Sequence, residues 1–401
     1  GARQVIPLEQ YNSESLIKSA DAPIWITDNE TLAQKCEQWS HCPLIALDTE
    51  FIRSKTFYPI PGLIQLADDQ YCYLIDPLAI DDWNPLRKLL TNSDVLKLFH
   101  APSEDIELFR HSYQVVPEPL FDTQIAAAFA GWGHSRGLQK LLKLVLDVDL
   151  DKEETRSDWL QRPLTAKQER YAALDVAHLV ELYRRIQASL VANGRGPLAS
   201  EETAQMVANV ANAEAEVDTY YQRFTQLANL APHRQTALRD VCAWRERVVR
   251  EEDRTRNSLL SNHLIVEVFK RWTKSLKDFS EIKEMRGSVV GTYGMTIVSM
   301  LREARTSHKI NPAPPMPKPL DFKWHSVVKQ LRKFGQQICE QQDIPQELLL
   351  RKRDIEDLIR AFDEGVEGDS ILPPSLQGWR QGLIGEPLAI ELQRIIEERS
   401  E

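Results

Sequence analysis

No pair of cysteines in this chain stands in a C-x-x-C arrangement, and no apolar run approaches the ~18 residues that a membrane-spanning helix needs. The five cysteines (Cys36, Cys42, Cys72, Cys242 and Cys339) are odd in number and widely spread. That pattern argues against a disulfide framework and a structural zinc site, and gives the expectation of a reducing, cytoplasmic compartment. The first residues carry no apolar leader core, which agrees with that expectation. No short-period repeat is present. Apolar residues make up 42% and charged residues 27% of the 401, a mixture that excludes disorder and collagen-like structure and supplies enough apolar surface for two or three cores.

The net charge of −10 hides a division. Residues 1–200 hold 20 Lys and Arg against 28 Asp and Glu, whereas residues 234–333 hold 21 against 11. An acidic front joined to a basic middle points to metal chemistry in one module and anion binding in another; the bland alternative is a set of solvated helix faces.

The front reads as α/β. Pro43 to Leu47 is a short apolar run ending at Asp48, as a buried strand would. Leu63 to Ala67 and Tyr71 to Ile75 flank Asp68-Asp69-Gln70, which reads as a hairpin. Val95 to Phe99 is a further strand, followed by Ser103 as N-cap, with Glu104 and Asp105 in the first helical turn. From about Gln124 the pattern is helical only, and a 3.6-residue apolar period predicts a helix from Thr165 to about Leu190. Gly194 to Pro197 closes this part. A connecting helix over 201–232, a basic helical segment over 233–306, a stiff linker over 307–319 with five prolines and a last helical segment over 320–401 follow. Residues 1–22 form an extension before a first domain over 23–200.

Three places carry the chemistry. Side chains two apart on a strand share a face, so Asp48 and Glu50 of Asp48-Thr49-Glu50 point to one side. Two like charges that close are costly unless a cation lies between them. Asp105, in a first helical turn, is the second place; a plain dipole partner would look the same. Tyr171 and Asp175, at i and i+4, project together from one helix face among Ala172, Ala173 and Leu174. Four carboxylates and a phenol, without histidine or cysteine, form the all-oxygen set that hard Mg²⁺ or Mn²⁺ selects. Two such ions about 3.5–4 Å apart can clamp the attacking and leaving oxygens of an in-line phosphodiester displacement.

Asp48-Thr49-Glu50-Phe51, Gly62-Leu63-Ile64-Gln65-Leu66, His100-Ala101-Pro102-Ser103-Glu104-Asp105 and Tyr171-Ala172-Ala173-Leu174-Asp175-Val176 together resemble the motifs of DEDD exonucleases, in the tyrosine subgroup. Leu150-Asp151-Lys152, Arg156-Ser157-Asp158-Trp159, Arg162-Pro163-Leu164, Asp122-Thr123-Gln124 and Gly137-Leu138 narrow the resemblance to ribonuclease D. Trp244-Arg245 and the basic residues to Arg256 look like the opening of an HRDC domain, though Asp253 leads into Arg254 without the usual proline turn. Arg351-Lys352-Arg353 and Gly378-Trp379-Arg380 resemble the family's C-terminal end.

The resemblance implies an α/β ribonuclease-H-like exonuclease domain with a mixed five-stranded sheet, followed by two all-α HRDC-type helical bundles. It implies 3′→5′ hydrolysis of RNA to nucleoside 5′-monophosphates in tRNA precursor 3′ maturation, with single-stranded 3′ ends as substrate and no obligate protein partner. Asp48, Glu50, Asp105 and Asp175 would hold two divalent cations, Mg²⁺ or Mn²⁺. Tyr171, whose ordinary pKa near 10 makes it a poor base at neutral pH, would orient the attacking water. Gln65, His100, Lys152 and Arg156 are expected to contact substrate; His100 would equally serve as a satisfied histidine at a strand end, and Arg156 as a structural partner of a carboxylate. A DNA exonuclease of proofreading or Werner type would use the same residues, and only recognition of the ribose 2′-OH separates the two. A helicase of RecQ type is excluded, since no G-x-x-x-x-G-K-[ST] loop exists.

Overall fold

The computed structural model describes residues 4–151 and 157–401, with backbone alone at 369 and 370. Six strands form one sheet in the order β1-β4-β3-β2-β5-β6. They are β1 (Ile24–Ile26), β2 (Leu44–Ile52), β3 (Ile60–Ala67), β4 (Cys72–Ile75), β5 (Leu96–Phe99) and β6 (Leu120–Asp122). Leu44 to Leu47 are all buried, as the centre of a sheet covered on both faces requires. β2 pairs parallel to β5 with Ala46 opposite Leu98, and β5 parallel to β6 with Phe99 opposite Asp122. The expected hairpin is present: β3 and β4 are antiparallel, and Asp68 Oδ1 closes their turn by accepting from the Gln70 and Tyr71 amides at 2.8 Å.

The sheet is mixed, as expected, but has six strands and not five. Four of them are the strands read from the sequence; the other two are β1 and β6, which pair parallel to β4 and β5 at the two edges of the sheet. At three residues each, they are too short for an alternating pattern to emerge. β2 also runs on to Ile52 instead of ending at Asp48, so the D-x-E motif lies within a strand.

Helix boundaries differ from expectation, most of all in the connecting helix expected over 201–232: it ends at Ala211 and gives way to a short helix, Ala215–Thr219, and the 3₁₀ turns Tyr220–Arg223 and Thr225–Leu227. The helix after β5, α1 (Ser103–Tyr113), has Pro102 and not Ser103 at its N-cap, and Glu104 and Asp105 remain in its first turn. β6 leads directly into α2 (Thr123–Ala130). The long helix expected from Thr165 is two, α3 (Ala166–Ala177) and α4 (Leu179–Asn193), divided at His178. Thr165 and Gln168 form a capping box at the start of α3. Gly194, left-handed at φ 72°, ends α4, and α5 (Gly196–Ala211) begins at once.

The chain divides into two compact units. Unit one comprises residues 4–51, 61–208 and 320–401. It holds the sheet and also α6 (His325–Gln342), α7 (Lys352–Asp363) and α8 (Glu386–Ser400). The C-terminal Gly-Trp-Arg has a packing role there. Arg380 forms a two-pronged ion pair with Glu202 of α5 at 2.9 and 3.0 Å, Trp379 Nε1 donates to the same carboxylate at 2.8 Å, and the Trp379 ring meets Phe129 edge-on at 5.1 Å. Gly378, at φ 64°, brings its Cα so near Glu201 that a Cβ would fall 2.7 Å from the carboxylate.

Unit two comprises residues 52–60 and 209–319. It is helical, built around the 21-residue helix Pro232–Glu252 with Asn262–Arg271 and Gly287–Arg302. The proline-rich segment is extended, as expected, but is pinned along the long helix. The Ala313 and Met316 amides donate to Thr236 Oγ1 and Gln235 Oε1 at 3.0 and 2.8 Å. Residues 52–60, the connection between β2 and β3, belong to this unit. Phe57 is buried in its core with the guanidiniums of Arg250 and Arg256 over its ring at 4.6 and 5.1 Å, and the Tyr58 amide donates to Asp253 at 2.9 Å.

Candidate active site

Strand alternation puts Asp48 and Glu50 on one side of β2. α3 brings Asp175 to them, and one carboxylate oxygen each from Asp48, Glu50 and Asp175 lies within 4.8 Å of the others. Asp105 joins from the first turn of α1: it accepts a hydrogen bond from the Thr49 hydroxyl, and its charge acts on Asp48. Alternation turns Thr49 away from the two acids, so a reading of that one strand face passes over it, yet Thr49 is what orients the fourth carboxylate. Tyr171 stands one turn before Asp175 on α3. Its ring lies 6.4 Å from that of Trp159, and with Asp175, Lys167 and Arg170 it lines a cavity of about 30 Å³.

The electrostatics are those of a crowded set of acids. Burial raises Asp48 well above the usual carboxylate range, and the charges of Asp105 and Asp175 raise it further. Burial pushes Asp105 up to about 7, against the pull of the Thr49 hydroxyl. Like charges gathered in a low dielectric hold protons unless a cation replaces them. The donor set is entirely carboxylate oxygen, so the residues fit a hard divalent cation and the cluster can hold one.

The other expected contacts fare differently. Gln65 is fully buried on β3, and its Nε2 donates to Glu50 Oε1 at 3.3 Å and to the Ala172 carbonyl at 3.4 Å. His100 lies at 2.9 Å from the Arg136 carbonyl through Nε2 and at 2.7 Å from the Thr123 hydroxyl through Nδ1. Burial lowers its pKa to about 4, so the ring is neutral, donating to Arg136 and accepting from Thr123. Both nitrogens are thereby spent on the protein, the satisfied-histidine arrangement. Lys152 and Arg156 lie outside the described residues.

Further residues of the same motifs build the wall around the site. A Cβ on Gly62 would fall 2.6 Å from the Trp159 Cβ, so only glycine lets β3 approach that segment. Arg162 ties the same region together, pairing with Asp76 at 2.8 and 3.2 Å and donating to the Gly62 and Trp159 carbonyls.

Comparison with known proteins agrees in extent and in kind. A 3′-5′ exonuclease family matches residues 23–191, an HRDC domain family residues 234–301, and a ribonuclease D C-terminal HRDC domain family residues 323–388. The chain is 40% identical over 369 residues to a ribonuclease D of Pseudomonas paraeruginosa, covering 92% of this chain and 97% of that one. It is 34% identical to ribonuclease D of Escherichia coli, covering 92% and 98%. The crystal structure of the Escherichia coli protein, described as an exoribonuclease involved in structured RNA processing, superposes with a TM-score of 0.82 over 93% of this chain and 99% of that one.

Proposed function

Since the chain belongs to the ribonuclease D family and is a 3′→5′ exoribonuclease, we propose that it shortens the 3′ ends of tRNA precursors to nucleoside 5′-monophosphates by two-metal-ion hydrolysis. The observation that carries this reading is the cluster of Asp48, Glu50 and Asp175, with Asp105 held beside it by Thr49. The processing of structured RNA by the Escherichia coli relative supports a folded RNA as the physiological substrate.

In this reading Asp48, Glu50, Asp105 and Asp175 hold two divalent cations, Mg²⁺ or Mn²⁺. Bound there, the cations supply Lewis acidity and neutralise charge at the scissile phosphate. Tyr171, on the same helix face as Asp175, holds the attacking water by its hydroxyl and sets its line of approach to phosphorus. Asp105 and Asp175 are buried and Asp48 and Glu50 half-buried, so charge placed there is screened less than it would be on the open surface. No helix among the described residues is long and apolar enough to cross a membrane. All five cysteines are buried and none is in a disulfide among the described residues, which fits a reducing compartment.

The test uses a 3′-extended tRNA and a DNA oligomer of the same sequence, each labelled at the 5′ end, with Mg²⁺ or with EDTA. A ladder shortening from the 3′ end of the RNA, absent in EDTA and far weaker on DNA, is expected. Equal degradation of the DNA would overturn the substrate assignment, and undiminished cleavage in EDTA the metal assignment.

A further inference from the structure

Gln65, on β3, reaches both Glu50 of β2 and the Ala172 carbonyl of α3. Its side chain is fully buried, so the orientation of its amide is fixed by its partners. Both neighbours of Nε2, the Glu50 carboxylate and the Ala172 carbonyl, are acceptors. Flipping the amide would aim oxygen at oxygen, so nitrogen faces them and gives one hydrogen to each. That leaves Gln65 Oε1 buried without a donor among the described residues. An orphaned buried acceptor is costly, and an apolar side chain of the same length would avoid the cost. The glutamine therefore brings the fold no evident gain through its oxygen, and what it does is done by its two N–H groups.

Those two hydrogens join specific parts of the site. Glu50 is one of the clustered carboxylates. Ala172 follows Tyr171 and precedes Asp175 by three residues on α3. We propose that Gln65 is a positioning residue that fixes Glu50 relative to the helix carrying Tyr171 and Asp175, and that it does not touch RNA. The proposal rests on the reading of the acids as a cation site. Groups that hydrogen-bond to metal-ligating carboxylates set their orientation, and their loss typically lowers metal affinity by about 10–100-fold.

Gln65→Met keeps the length of the side chain, removes both hydrogens and also removes the orphaned oxygen. Calorimetric titration of Mn²⁺ into the full chain without RNA, thermal melting, and kcat and KM on a short single-stranded RNA are the measurements. Expected are a melting temperature equal to or above that of the parent, Mn²⁺ affinity lower by about tenfold, and an unchanged KM for RNA. In a Glu50→Gln background the same change should no longer alter Mn²⁺ affinity, because the acid through which Gln65 acts has gone. Unchanged Mn²⁺ affinity with a raised KM would overturn the proposal and make Gln65 a substrate contact. Loss of the fold would overturn it in favour of a purely structural tie between β3 and α3. Absence of Mn²⁺ binding by the parent would be a separate failure, that of the cation site itself, and the proposal would fall with it.

Discussion

Unit two buries an acid inside a ring of arginines; unit one buries acids beside other acids. Glu246 is fully buried, and Arg256 grips it through Nε and Nη2 at 2.9 and 2.6 Å, with Arg250 at 3.3 Å and Arg245 at 3.7 Å. Against the upward push of burial, these guanidiniums hold its carboxyl below the ordinary range. Asp48 is pushed the other way, by burial and by Asp105 and Asp175 together. Unit two thus solves the cost of burial internally, and the result is a cross-link. Unit one leaves the cost in place, to be relieved by something that arrives from solution. Glu246, ringed by arginines, is a structural acid, as is Asp76 beside Arg162 in unit one; the acids around Asp48 have no such cation beside them among the interactions described, and the sign of the neighbouring charge separates the two cases.

The comparison predicts opposite behaviour for matched substitutions. Asp48→Asn keeps the shape but removes one of the crowded charges. Turnover should fall on the order of 10³-fold or more, while the melting temperature stays level or rises. A destabilised but active variant would erase the distinction between the units. Tyr171→Phe removes only a hydroxyl and should cost about 10²–10⁴ in kcat, with Mn²⁺ affinity unchanged by calorimetry. Loss of the cation in that variant would move Tyr171 into the set that holds it.

Glu246→Gln is the mirror experiment. Removing one partner of a buried ion pair leaves arginine charge unbalanced and should lower stability by about 3 kcal/mol in denaturant unfolding. Metal affinity should not change; a fall in Mn²⁺ binding would contradict an independent structural role. The smallest effect concerns grip. Lys270, Lys274, Lys277 and Lys283 are exposed on unit two. Changing all four to Gln should leave kcat on a short oligomer unaltered and make tRNA binding less salt-dependent, the log–log slope becoming shallower by about 0.7 for each phosphate no longer neutralised. Identical slopes would show that these lysines are only a solvated surface.

Much of the site was legible because metal chemistry constrains residue type and spacing severely. Asp48 and Glu50 at i and i+2 on a strand, and Tyr171 and Asp175 at i and i+4 on a helix, each specify a shared face before any fold is known. What escaped has a physical reason in each case. β1 and β6 are each one and a half periods of alternation. The division at His178 carries neither glycine nor proline, so nothing in the local composition interrupts the apolar period. Thr49 acts across a long stretch of chain, on a helix whose placement depends on the sheet. Gln65 carries a residue type that suits substrate, and the positioning role proposed for it rests on its burial and its bonds to Glu50 and Ala172, which no sequence pattern displays.

The connection from β2 to β3 has a consequence for anyone who would treat the helical part as an interchangeable module. Because Phe57 is a core residue of unit two, the boundary of that unit cannot be drawn by two cuts in the chain. A cassette of 209–319 moved to another protein would leave a ring-sized hole between Arg250 and Arg256 in the graft, and a bare phenyl group on the nuclease left behind. The helical unit is therefore completed by nine residues that lie more than 140 positions upstream of its main segment.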